Sequence, residues 1–318
     1  MYKYIFRRIA MMLLVLVGVT FVVYFIVDKT PGDPAAIILG NAATPESLAQ
    51  MHEDMGLDGP LVVRYSRYMW NLLHGDFGTS YKTKLSVGSQ IAQKLPNTII
   101  LSLSGMVVAV LVGIPVGIIC AKKQYSVFDN VSMFFALLGT SAPAFWMGMM
   151  LIILFSLWAG WFPSSSMGTG FWGLLRSLVL PAITAGASCG SVIARMTRSS
   201  MLEVLRADYI TTARAKGIRE WTITIRHMFK NALIPVVTVI GLQFGMLLGG
   251  AVMTETVFAW PGIGRYLLDS VKSKDTPAIL GSVIVISVMV SVVNLLVDIL
   301  YAYIDPRIKS QYKLAGGK

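Results

Sequence analysis

The sequence predicts an all-α polytopic membrane protein with six transmembrane helices and both termini on the cytoplasmic side. Three observations predict it. Hydrophobic residues make up 55% of the 318 positions and charged residues only 14%, a balance unlike that of a soluble domain. The apolar residues gather in uncharged runs near the ~20-residue length that crosses a bilayer. Most of the 27 Lys and Arg residues fall in alternate connections, while the acidic residues lean the other way, as the positive-inside rule requires. The net charge of +11 therefore reads as orientation and not as nucleic-acid binding.

The first run, Ile9 to Val27, follows a basic start with Arg7 and Arg8. Asp28-Lys29-Thr30-Pro31 comes directly after it, where a cleaved signal would place small residues, so 1–27 is read as a retained helix. A polar extracytoplasmic segment covers 28–94. It contains Pro31-Gly32-Asp33-Pro34, Gly56-Leu57-Asp58-Gly59-Pro60 and Gly75-Asp76-Phe77-Gly78-Thr79-Ser80, turn chemistry dense enough to imply a structured cap. Tyr65, Tyr68, Met69 and Trp70 at helical spacing mark a short helix lying on the membrane or on other helices. The second span runs from Leu95 to Ala121 and stops at Lys122-Lys123. The third runs from Val131 to Trp158, interrupted by Pro143. The fourth covers Ser177 to Ala194, the fifth Ala232 to Thr254 and the sixth Ala278 to Ile304, leaving a tail at 305–318.

One connection stands apart. The inner segment at 195–231 is long, polar and basic. On charge alone it is an ordinary loop obeying the positive-inside rule. Within it, Asp208-Tyr209 and Ala213-Arg214-Ala215-Lys216-Gly217 outline a short helix. Asp208 is placed to cap its start, and Gly217 to take the left-handed position after Lys216. Alanine and glycine there would let another protein surface come close to the backbone.

Several spans carry small residues four apart: Gly113/Gly117, Gly186/Gly190 and Gly241/Gly245/Gly249. Such stripes let helices pack backbone to backbone, or line a transport path. Asp298 is the carboxylate set deepest in an apolar run; it is either functional or paired with a polar neighbour. His52, His74 and His227 are scattered, and Cys120 and Cys189 sit in apolar segments, so no metal site is expected. The sequence has no P-loop, no GxSxG and no HExxH. No catalytic residue and no cofactor of the chain's own is expected, and energy for transport would come from elsewhere. An ion-coupled secondary transporter is the alternative. It would show repeated broken helices and coupling-ion groups at mid-membrane, where these runs offer one deep acid.

The inner segment from Val204 to Pro235, with Thr212-Ala213-Arg214-Ala215-Lys216-Gly217, Arg226-His227 and Asn231-Ala232-Leu233-Ile234-Pro235, resembles the EAA loop of ABC importer permeases. The remaining motifs resemble the dipeptide/oligopeptide/nickel branch and its B-type subunit: Pro31-Gly32-Asp33-Pro34, Leu95-Pro96-Asn97-Thr98, Ala142-Pro143-Ala144-Phe145-Trp146, Phe162-Pro163-Ser164-Ser165, Glu255-Thr256-Val257-Phe258-Ala259-Trp260-Pro261-Gly262-Ile263-Gly264, and Asp305-Pro306-Arg307. The chain departs from the pattern in Ser-Ala-Pro-Ala-Phe, where the family often has Ser-Ile-Pro-Ser-Phe, and in lacking the Glu-Ala-Ala triplet.

The resemblance implies a type I ABC importer permease fold, with a permease domain over 95–304 and a coupling loop at 195–231. It implies a C-type permease as the other half of the pore, two ABC ATPase subunits holding ATP and Mg, and an extracytoplasmic solute-binding protein. Cargo would be peptides or a related small solute. Residues 208, 209 and 213–217 would meet an ATPase. The 28–94 segment would either touch the binding protein and gate the outer mouth or only brace the helices.

Overall fold

A computed structural model describes residues 2–30, 32–40, 43–56 and 58–304. The described residues form helices α1 (Tyr2–Lys29), α2 (Pro34–Leu39), α3 (Pro45–Asp54), α4 (Leu61–Leu73), α5 (Val87–Lys122), α6 (Val127–Ser141), α7 (Ala144–Leu151), α8 (Gly170–Leu205), α9 (Asp208–Ala215), α10 (Glu220–Thr222), α11 (Lys230–Val257), α12 (Ile263–Lys272) and α13 (Thr276–Ile304). Wide π-type turns extend α7 over Ile152–Trp158 and lead into α11 over Ile223–Phe229. Helices suit these runs because lipid offers no partner for a free backbone N–H or C=O.

Among the described residues five helices are long and apolar enough to cross a membrane, and six if a bent pair counts as one span. That pair corrects the expectation of a third span from Val131 to Trp158. Its halves, Val127–Ser141 and Ala144–Trp158, meet at 111°. Pro143 disfavours helical backbone at the residue before it; Ala142 is extended, and the helix restarts at Ala144. The other five spans are all longer than their apolar runs. α1 begins at Tyr2 and not Ile9, α5 at Val87 and not Leu95, α8 covers Gly170–Leu205 and not Ser177–Ala194, α11 begins at Lys230 and not Ala232, and α13 at Thr276 and not Ala278. An apolar run marks the part of a helix that can face lipid, and helices continue past it into polar surroundings.

The chain divides into two compact units, one built from residues up to Thr98 together with Pro261–Met289, the other from Ile99–Trp260 and the chain from Val290 onward. In the first, α4 lies along α1. Tyr65 donates to the Val17 carbonyl at 3.0 Å and sits 2.9 Å from Thr20 Oγ1. The Phe21 and Tyr24 rings meet it edge-on at 5.2 and 5.6 Å. Val87, Ile91, Ile263 and Ala278 form a second apolar centre. There Asn97 Nδ2 donates to the Pro261 carbonyl at 2.9 Å, and Thr98 Oγ1 accepts from the Ile263 amide at 2.8 Å. The Leu-Pro-Asn-Thr motif thus caps an otherwise unsatisfied donor at the start of α12.

In the second unit α8 is the central helix, packed on α6, α7 and α11 and on α5. Its contact with α5 is made by small residues. A β-carbon at Gly113 would lie 2.7 Å from the Gly190 carbonyl, and one at Gly117 2.6 Å from that of Ala194. Gly186 abuts the Gly105 backbone and Gly190 that of Ala109. α6 is fastened to α8 by charge. Asp129, whose side chain is 1% exposed, takes two parallel bonds of 2.7 Å from Arg198. Removing one member of a buried pair strands the other, at a cost of about 3–5 kcal/mol. Arg198→Met should therefore lower the melting temperature of the extracted protein markedly. The Asp129→Leu/Arg198→Met double variant should recover most of the loss, and equal melting of all three would refute the pair's role.

Candidate functional site

The predicted coupling segment folds as three connected pieces. The last turns of α8 carry Arg195 to Leu205, α9 follows, and α10 with its π-type turn leads into α11. The end of α9 is a complete glycine cap. Gly217 has φ +73, its amide donates to the Arg214 carbonyl at 2.9 Å, and the Ile218 amide donates to that of Ala213 at 3.3 Å. These two bonds satisfy carbonyls that a helix end leaves orphaned, and only glycine holds that conformation without a β-carbon penalty. Arg214 then reaches Glu220 at 2.8 Å and closes the turn into α10.

Two expectations need correction. Asp208 does not cap α9; Ala207 occupies that position, and Asp208 is the first helical residue, where its charge favours the helix dipole. Ala213 is not on the open face. It is buried with Ile210, Met201, Ile223 and Met228 in an apolar cluster under α9. Alanine serves close approach either to a partner or to the chain's own helices, and here the inner contact takes it. The exposed rim is formed by Tyr209, Thr212, Ala215, Lys216 and Gly217. One residue missed by the motif reading joins it, Trp221, 66% exposed; its signal was weak, because it falls outside the short-helix pattern. Asn231, the first residue of the Asn-Ala-Leu-Ile-Pro motif, is tied to the rim, its Nδ2 donating to Tyr209 Oη at 3.1 Å.

The second candidate site is the Pro-Gly-Asp-Pro motif after α1, of which Pro31 lies outside the described residues, as does the 305–318 tail with Asp305-Pro306-Arg307. Asp33 caps α2, accepting from the Ala35 amide at 2.9 Å, with Pro34 at the first helical position. Its other oxygen meets His52 Nε2 of α3 at 2.8 Å. Gly32, at φ +111, leaves room for the Lys274 ammonium, with which a β-carbon would collide. Asp275, beside Lys274, accepts from the Ser80 hydroxyl and from the Tyr81 amide, the latter at 3.0 Å.

Burial pushes the Asp33 carboxyl up, but the His52 bond and the Ala35 amide outweigh it and hold the group below its ordinary value. A depressed pKa adds stability that is present above the unfolded value of about 3.9 and lost as pH falls through the folded one. Protection of the Ala35 amide from hydrogen exchange should therefore collapse in acid. Asp33→Asn should remove that pH dependence, and an unchanged profile in the variant would contradict the assignment.

Gly241, Gly245 and Gly249 lie on α11 against Val297, Asn294 and Val290 of α13 respectively. Asp298 is the next residue after Val297 and is partly buried. The three glycines therefore share one helix contact, away in sequence from α9 and from the Pro-Gly-Asp-Pro motif.

Residues 113–310 match the family described as binding-protein-dependent transport system inner membrane component, and residues 1–103 match its N-terminal membrane component. The chain belongs to this family. It is a multi-pass inner-membrane component of an ABC importer. The chain is 43% identical to the dipeptide transport system permease protein of Alkalihalophilus pseudofirmus, over 97% of this chain and 100% of that one. It is 42% identical to the glutathione transport system permease protein of Salmonella paratyphi A, over 97% and 99%. A chain of the MetNI methionine ABC transporter in an inward-facing conformation shares the fold, with a TM-score of 0.52 at 18% identity, covering 68% of this chain and 96% of that one. The family's fold is that of type I ABC importer permeases.

Proposed function

We infer that this permease is one half of a heterodimeric pore that imports peptides, or a related small solute, at the expense of ATP. The observation that carries the reading is α9, a short helix locked by a full glycine cap and an ion pair, rooted in its own apolar cluster and open on one rim. A lever must be stiff, anchored and exposed, and this element has all three properties. In this reading the rim of Tyr209, Ala215, Lys216 and Gly217 seats in an ATPase subunit. ATP and Mg are held by two such subunits and not by this chain. Nucleotide-driven closure biases the helices between inward-open and outward-open states through differential contact with α9.

Peptide cargo follows from the relatives' dipeptide and glutathione names, glutathione being a tripeptide. The Lys and Arg distribution supports both termini and α9 inside, and the 28–94 segment outside with the solute-binding protein. Tagging the chain, extracting it in mild detergent and identifying what copurifies tests the reading. A second six-helix permease and P-loop ATPase chains are expected. Recovery of the chain alone, active in liposomes without ATP, would overturn it in favour of an ion-coupled transporter.

A further inference from the structure

Residues of α1 to α4, the 78–84 turn and the start of α13 line a half-open cavity of about 670 Å³. That volume lies in the range of small-solute sites. Two of its three lining carboxylates are already committed. Asp28 is held by Arg64 at 2.6 Å and Asp33 by His52 at 2.8 Å. Several donors are not committed. Arg67 and Lys84 line the cavity with no carboxylate in salt-bridge range among the described residues. Tyr68 Oη is buried with no hydrogen-bond partner among them. Burial, and then the charge of Asp76, push this phenol above its usual range, so it is a donor at neutral pH. Behind Gly32, which forms part of the wall, the Lys274 ammonium is likewise buried without such a partner. Tyr68 and Lys274 are buried donors left unmatched, which costs free energy, and a segment that only braced helices would pair them internally, as Asp28 and Arg64 are paired; Arg67 and Lys84 stand exposed at the open side of the cavity.

We propose that this cavity receives a small solute by its carboxylate, with Arg67 and Lys84 supplying charge and Tyr68 a hydrogen bond. Asp54, the remaining lining carboxylate, faces the solute's ammonium end. A guanidinium offers two parallel donors to a carboxylate, which gives orientation as well as attraction. Lys274 keeps the Gly32 wall positive from behind. For the origin of the solute the proposal rests on the importer reading above; the binding chemistry is independent of it.

The test uses the full chain with its copurifying partners in nanodiscs, without binding protein, titrated calorimetrically with dialanine and with dialanine amide. Saturable binding of the acid is expected, weakened about tenfold or more by amidation, which removes one charge-assisted pair. Arg67→Gln and Lys84→Gln should weaken the acid similarly and leave amide binding unchanged; both side chains are exposed, so folding is spared. Equal binding of acid and amide, or no saturable binding at millimolar dialanine, overturns the proposal. So does undiminished uptake, measured in cells that also make the binding protein, by an Arg67→Gln/Lys84→Gln variant that no longer binds dialanine in nanodiscs. Wild-type binding in nanodiscs with no ATP-driven uptake by such cells would instead refute the importer reading alone.

Discussion

Gly217→Asp and Ala215→Glu are each expected to abolish ATP-driven uptake while the chain still accumulates in the membrane at its normal amount. Nothing lies within 4 Å of a β-carbon at Gly217, so the only internal cost is a left-handed backbone, about 1–2 kcal/mol. A folded protein with several times that margin tolerates it. Ala215 is exposed, and a glutamate there disturbs no contact within the chain. Both variants instead put a carboxylate on the rim that the ATPase would cover, where burying an unpaired charge is costly. Ala213→Glu separates docking from folding. Ala213 is 8% exposed in the cluster with Ile210 and Met228, so this variant should lower the amount of protein itself. Full uptake by Gly217→Asp and Ala215→Glu at normal protein levels would remove α9 from the coupling mechanism.

Much of this was legible because it rests on strong local physics. Uncharged runs announce spans, since lipid tolerates few charges, and Gly217 announced itself because few other residues accept its φ. Less could be read where one residue type serves two purposes. Ala213 looks the same whether it faces a partner or its own chain, and only packing decided for the chain. The 111° bend exceeded what Pro143 alone specifies, because a proline ends a helix without fixing the direction of the next. The short helices α2, α3 and α12, of 6, 10 and 10 residues, fall well below spanning length and were invisible to a reading based on span length. The role of Gly32 depended on Lys274, a residue far along the chain that no local pattern connects to it.

Gly117→Leu is expected to remove most folded protein from the membrane. A β-carbon there meets the Ala194 carbonyl and the Thr197 Cβ, both at 2.6 Å. Neither can rotate away: one is helix backbone and the other is fixed to it, so α5 must leave α8. Overpacking a core commonly costs about 1–3 kcal/mol, and a displaced helix pair loses its remaining van der Waals contacts as well. Gly249→Ala is the control. Its β-carbon would lie 3.6 Å from Val290 Cγ2, an ordinary contact, so that variant should accumulate and transport normally. Quantifying each chain in membranes by its tag decides between a graded response and none. If Gly117→Leu accumulates like wild type, the α5–α8 seam is not what holds the second unit together. If it is lost as expected, the consequence reaches the coupling element, because α8 runs to Leu205 and α9 begins at Asp208. Any force on α9 is then delivered to α8, and through the glycine seam to α5.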